Sequence, residues 1–445
     1  MPLAPEDDKE FLRSKNPEGK RSAVQFLVRG KGLWGSRESA SLFFCPLASE
    51  DDKEFLLLQN VRGKINYAFM KMRMFMAVAA ALFALSAGAQ NIADIDKNFA
   101  VEKIGNSKVA YRDAFEAPFV LEGFPFAEKG KMPRRMPASI KNGGVGGGVI
   151  KLADYAAGGV VRFRTNAKVI ALRASLLNTV FNMGYMPSTS TSGFDLFCGN
   201  AKHIKTVNPQ HYKNEIPDPL VAPLAHNPSG EFRDYTLYLP LFNGVKKLEI
   251  GVDLSAKFEP PTPHKVSKPI VFYGSSITHG ACASRTSLCY PALVCRAVDA
   301  PMVNLGFSGN AKGEPKMAEL IASLDMSVFV FDYDYNAPNA AHLKKTHERF
   351  FKIIRAARPD LPIIILTRVT RGSDERAGVI KKTYDNAVKA GDKRVYFLDG
   401  RKMFEGVDIA LLTLDGTHPN DHGFYLMYKA VLPLVKKALA DSKEK

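Results

Sequence analysis

Tryptophan is almost missing from this 445-residue chain, which has one, and cysteine is scarce at five. Five cysteines spread over such a length cannot build the dense disulfide framework of a small secreted scaffold. Their spacing fits no zinc pattern either. Long apolar runs are also lacking: the most apolar stretch, Phe75–Leu85, falls well short of the roughly 20 residues that span a bilayer. These absences exclude fibrous and membrane-embedded classes. What remains, 46% hydrophobic and 24% charged residues, is the balance of an ordinary globular protein with length for two or three domains.

Met70–Gln90 (MKMRMFMAVAAALFALSAGAQ) has the anatomy of a secretory leader. Lys71 and Arg73 supply a basic start, Phe75–Leu85 the apolar middle, and Ala87-Gly88-Ala89 a small-residue cleavage site. This predicts processing after Ala89, export to the periplasm or medium, and no membrane insertion once the leader is removed. Such a leader must stand at the true N-terminus to be read, so residues 1–69 are anomalous. PLAPEDDKEFL at 2–12 recurs as PLASEDDKEFL at 46–56, a direct repeat that reads as translated upstream sequence rather than a domain. Synthesis is therefore expected to begin at Met70, Met72 or Met74. The aromatic pair before Cys45 does not resemble a lipoprotein cleavage box.

Beyond residue 90 the chain holds 48 basic against 35 acidic residues, a net of +13. The basic residues are dispersed, with no aromatic-interleaved stripe and no nucleic-acid motif, so they read as solvated surface and no nucleic-acid partner is expected. Four cysteines remain there: Cys198, Cys282, Cys289 and Cys295. Cys282 and Cys289 flank the short loop ACASRTSLC, and export would allow a disulfide between them.

Residues 90–260 lack long helical periodicity. Short β-type runs broken by Gly, Pro and Asn occur at 159–165, 167–173, 234–239 and 247–252, and predict an all-β sandwich. Pro260, Pro261 and Pro263 make a stiff linker, placing the boundary at 261–267. From 268 to 445 the pattern alternates. Strands are predicted at 270–273, 302–305, 328–332, 363–367 and 395–398, with helices within 287–299, 313–323, 340–357, 374–390 and 421–440. Near-continuous apolar strands between amphipathic helices mean a parallel sheet covered on both faces, a three-layer α/β domain.

In such sheets the ligand site lies beyond the carboxyl ends of the strands. The first strand ends in VFYGSSITHG (271–280), which exposes a serine where a buried strand breaks into a turn. The second ends in NLGFSGN (304–310), the third in DYDYNAP (332–338), and the last loop before the C-terminal helix is DGTHP (415–419). Asp415 and His418 admit two readings, a helix-capping pair or a carboxylate that orients an imidazole base. His279 suits a structural or substrate-contact role, and Asp332 and Asp334 only strand-end hydrogen bonding. A calcium loop at 332–343 is excluded, because Ala337 and Leu343 replace the glycine and the closing glutamate it needs.

Together the four strand ends resemble the SGNH/GDSL hydrolase superfamily: GSSITHG its first block, Gly309 its glycine block, Asn336 its asparagine block, and DGTHP its Asp-x-x-His block. Gly193-Phe-Asp-Leu-Phe197 and YLPLFNGVKKLEIGV (238–252) resemble the β-sandwich that precedes the catalytic domain in one lipase/acylhydrolase-like branch. Ser275 stands where the family usually has an acid, and Asn339 competes with Asn336 for the third block. The resemblance implies a flavodoxin-like catalytic domain behind a jelly-roll-like sandwich. It implies Ser276 as nucleophile, His418 as base and Asp415 as its orienting acid. The oxyanion would be held by the Ser276 and Gly309 amides and the Asn336 side chain, with no metal or organic cofactor. The expected activity is a serine esterase removing short acyl groups, O-acetyl above all, from polysaccharide. A general short-chain lipase or acylhydrolase, and a non-catalytic glycan-binding protein, are the alternatives.

Overall fold

The computed structural model describes residues 109–180, 183–199, 201–209, 215–370 and 373–442, together with the backbone of three upstream strands. Those strands, β1 (Phe11–Leu12), β2 (Ala23–Lys31) and β3 (Glu38–Pro46), form a small antiparallel sheet within a unit of their own, Met1–Phe99. The β-forming runs AVQFLVRGK and ESASLFFCP carry that pairing, and they lie outside most of the repeated segments. The leader expected at Met70–Ala89 lies outside the described residues.

The second unit, Ala100–Lys445, begins with ten short strands. They are β4 (Val109–Asp113), β5 (Val120–Glu122), β6 (Val160–Thr165), β7 (Val169–Leu176), β8 (Phe194–Cys198), β9 (Lys202–Val207), β10 (Leu220–His226), β11 (Arg233–Tyr238), β12 (Val245–Asp253) and β13 (Phe258–Glu259). All pair antiparallel, in one sheet of order β10-β7-β12-β4 and another of order β13-β6-β11-β8-β9 to which β5 adds beside β6. Alternation explains the arrangement: on β7, Ile170, Leu172, Ala174 and Leu176 are buried while Val169, Arg173 and Ser175 between them are not. The inward set meets Phe163, Leu196, Leu237 and Ile250 in a single core.

The parallel sheet comprises β14 (Ile270–Gly274), β15 (Met302–Gly306), β16 (Val328–Asp332), β17 (Ile363–Leu366) and β18 (Val395–Leu398), in the order β15-β14-β16-β17-β18. That is the flavodoxin-like order, whose crevice opens where the order reverses beside the first strand. Ile270 and Phe272 of β14 face one core, with α4 (Tyr290–Val298) and α9 (Asp421–Asp441). Val271 and Tyr273 face the other, with α5 (Pro315–Ala322), α6 (Ala340–Ala357) and α7 (Asp374–Lys389). The first core runs on without a break into Tyr155, Phe197, Tyr238, Leu241 and Phe242 from the preceding region. No helix among the described residues is long and apolar enough to cross a membrane.

The proline-rich stretch is a strap held from both sides. Thr262 donates its amide to Asp234 (2.8 Å), and His264 lies between Asp299 at Nδ1 (2.8 Å) and Glu122 at Nε2 (3.0 Å). Burial works against the His264 charge, but Glu122 and then Asp299 outweigh it and raise its pKa above the ordinary histidine range. The sign follows. The strap's contribution is complete below the unfolded-state pKa of about 6.5 and is lost as pH rises through the higher folded value. The melting-temperature gap between wild type and His264→Gln should therefore narrow steadily from pH 6 to pH 9. A gap that widens with pH would contradict this.

Candidate active site

Three loops converge because the strands that carry them end level, the register setting Gly274 opposite both Gly306 and Asp332, and the loop at 415–419 joins them through the contact of His418 with Ser276. Directly after β14 the chain turns into a single helical turn, α3 (Ser276–His279). Ser275 is buried and caps it, its hydroxyl accepting from the Ile277 amide at 3.2 Å. A serine where the family has an acid therefore still does the capping work of a short oxygen side chain. Ser276 follows as the first helical residue, and its hydroxyl is left for other partners.

That partner is His418. Ser276 Oγ lies 2.9 Å from His418 Nε2, and His418 Nδ1 lies 2.7 Å from Asp415 Oδ2. The other oxygen of Asp415 accepts from the amides of His418 (2.7 Å) and Thr417 (2.9 Å), so a four-residue turn aims the carboxylate at the ring. Burial alone would raise the Asp415 pKa. The bonds from the His418 amide, the His418 ring and the Thr417 amide outweigh it and hold the group at about 2. Helix α9 is capped by Asn420, which accepts from His422 and Gly423, so the capping role once open to Asp415 is taken elsewhere.

Gly309 lies in the loop after β15 with left-handed φ (71°) and no atom within 4 Å of where a β-carbon would stand. Asn336 closes the turn after β16. Its Oδ1 accepts from the Ala311 amide at 3.2 Å, which joins it to the Gly309 loop and turns its NH2 group away from that bond. Asn339 instead caps α6, accepting from His342 at 2.9 Å. Gly306 must be glycine here, because a β-carbon would fall 2.2 Å from the His279 nitrogen.

The remaining candidates are spread more widely. His279 is fully buried away from the serine hydroxyl: Nε2 donates to the Leu241 carbonyl (2.6 Å), Nδ1 accepts from the Ser308 amide (3.4 Å), and the ring stacks on Phe242. Burial, then the nearby Arg135, push its pKa well down, so it is a neutral structural wedge. Asp332 accepts from Thr278 Oγ1 and Tyr290 OH, both at 2.9 Å, tying α3 to the end of β16; burial pushes its pKa up to about 7. Asp334 receives Arg368 and Arg376. The disulfide that export would allow between Cys282 and Cys289 is not formed, and both are buried free thiols. Cys289 points its sulfur at the Thr286 carbonyl at the start of α4, whereas Cys282 sits at left-handed φ (71°) near Asp415. Hydrogen bonds from other elements clamp this loop instead. Among the described residues no group of three His, Cys, Asp or Glu side chains is placed to hold a metal ion.

Sequence reasoning passed over Arg135. It is wholly buried, donates to the carbonyls of Leu152, Asn304 and Gly306, and lies over the Phe307 ring at 4.7 Å. Burial lowers its pKa to about 9. No local motif marks it, because its partners are backbone oxygens, two of which lie 169 (Asn304) and 171 (Gly306) residues away in sequence.

Residues 267–436 match the GDSL-like lipase/acylhydrolase family model, and residues 109–258 match the model for the N-terminus of SGNH-hydrolase-type esterases. The chain is an SGNH/GDSL-type hydrolase. No curated protein matches it. Among solved structures, a candidate GDSL-like lipase from Bacteroides ovatus ATCC 8483 is similar over 75% of this chain and 98% of its own, at 29% identity and TM-score 0.63. The salicylyl-acyltransferase SsfX3 of a tetracycline biosynthetic pathway is similar over 74% of this chain and 97% of its own, at 19% identity and TM-score 0.61. A family two carbohydrate esterase from Clostridium thermocellum, in complex with cellohexaose, is similar over 73% and 99%, at 15% identity and TM-score 0.52. These two distant likenesses speak for the fold. The hydrolase is a serine ester hydrolase, with the sandwich and the parallel-sheet domain each in its family's place.

Proposed function

We propose that this hydrolase is an exported serine esterase that removes short acyl groups, chiefly O-acetyl, from carbohydrate through an acyl-enzyme. The observation that carries the mechanism is the unbroken relay from Ser276 Oγ through both nitrogens of His418 to Asp415. In it, Oγ attacks the ester carbonyl carbon as its proton passes to Nε2. The tetrahedral intermediate collapses, and the departing alcohol takes that proton from the imidazolium that Asp415 stabilises. Water then repeats the sequence on the acyl-serine and frees the acid. The negative oxygen is received by the amides of Ser276 and Gly309 and the side chain of Asn336.

Carbohydrate as the alcohol is supported by the likeness to carbohydrate esterases and by the secretory leader. A second reading, a general short-chain acylhydrolase, is favoured by the apolar side chains of Ile409, Leu411 and Leu414, which lie exposed just before Asp415. Measuring acetate release from acetylated glycans beside turnover of p-nitrophenyl esters from acetyl to octanoyl separates the two. Preference for acetyl and release from glycan support the first; a rate that climbs with chain length and no glycan release supports the second. Export is tested by the intact mass of the natively expressed protein, expected to begin at Gln90. A species retaining residues 1–69 would overturn the leader assignment.

A further inference from the structure

We propose that the Gly193–Phe197 segment of the sandwich is a positioning element of the hydrolytic site. It holds the loop 281–289, and that loop holds the chain at His418. The proposal rests on the reading of Ser276 and His418 given above. Asp195 of β8 is fully buried, and its carboxylate is aimed out of its own sheet at that loop. Its Oδ2 accepts from the amide (3.2 Å) and hydroxyl (2.7 Å) of Ser287, and its Oδ1 from the hydroxyl of Thr206 (2.6 Å). Burial would raise the Asp195 pKa, but bonds from His203, Ser287 and Thr206 keep it below the ordinary carboxylate range. A buried charge is tolerated only where its partners are well placed, so this contact has little freedom to drift.

Phe197 lies two residues further on the same strand, hence on the same face. The Arg296 guanidinium covers its ring at 4.6 Å and donates to the Ser287 carbonyl at 3.1 Å. Just before the segment, Thr189 of the short helix α2 (Ser188–Thr191) donates its hydroxyl to the Ser284 carbonyl at 2.6 Å. Ser284 passes the constraint on. Its amide (2.8 Å) and hydroxyl (2.5 Å) both donate to Asp421, the first residue of α9, three positions beyond His418. The loop therefore starts at the end of the helical turn that carries Ser276, is gripped twice by the sandwich, and ends by gripping the histidine's own segment. This gives the sandwich a part in setting the distance between serine and histidine.

Asp195→Asn and Ser284→Ala test this in the full chain, with Ser276→Ala and Arg173→Ala, on the outer sheet, measured beside them. Misplacement of a reacting group by about 1 Å costs up to on the order of 10²-fold, so kcat should fall by ~10- to 100-fold. KM should stay unchanged, and the rate at which a p-nitrophenyl phosphonate labels Ser276 should fall by the same factor. Ser284→Thr should restore both rates, and Arg173→Ala should alter neither. Ser284 is half-buried, so its alanine variant decides the matter if Asp195→Asn does not accumulate. Wild-type kcat and labelling in Ser284→Ala, or a rise in KM alone, would overturn the positioning role. Turnover persisting in Ser276→Ala would instead overturn the catalytic reading beneath it.

Discussion

Replacing Ser276 by alanine is expected to remove ester turnover almost completely, with kcat lower by on the order of 10⁶, as when the nucleophile of a triad is deleted. The size of the effect follows from the group's place in the relay. Without Oγ no acyl-enzyme can form, and the His418–Asp415 pair has no hydroxyl to deprotonate. The fold should be indifferent, because Ser275 and not Ser276 caps the helical turn, and Asp415 is held by the amides of Thr417 and His418. Turnover of p-nitrophenyl acetate, read beside the melting temperature, checks both halves. Equal rates in wild type and variant would sink the assignment.

Asn336→Ala should lower kcat by on the order of 10² to 10³, the usual loss for one oxyanion donor, with little change in KM. Asn339→Ala should behave in the opposite way, leaving kcat intact and costing about 1 kcal/mol of stability through loss of a helix cap. The contrast comes from geometry. Asn336 is bound through its oxygen to Ala311, beside the Gly309 loop, while Asn339 spends its oxygen on His342 at the start of α6. Steady-state kinetics and thermal melts on the two variants form one experiment. A catalytic loss in Asn339→Ala with none in Asn336→Ala would reverse the assignment.

The parallel sheet was legible because each strand is a short, mostly apolar run, as in the VFVF that opens Val328–Asp332, and each helix repeats its apolar residues at helical spacing. The Asp415–His418 turn was legible for a related reason, since both partners lie within one local turn. Asp195 was less so. It stood inside a recognised segment, but its partner Ser287 is 92 residues away and the carboxylate's purpose appears only when the two layers meet. The Cys282–Cys289 pair was left open for the converse reason: nearness in sequence allowed a pairing that the start of α4 and the left-handed turn at Cys282 do not make.

By itself, then, the sequence determined the order of layers and the strand ends that come together, because periodicity and turn chemistry act over a few residues, while the choice of Ser276 over Ser275 rests on the resemblance of GSSITHG to the family's first block. The tertiary structure decided that Asn336 and not Asn339 joins the glycine loop. It also made His279 an interior wedge and the sandwich a clamp on the loop between serine and histidine. Those outcomes depend on hydrogen bonds between residues far apart in the chain, which exist only once the sheets have set their ends side by side.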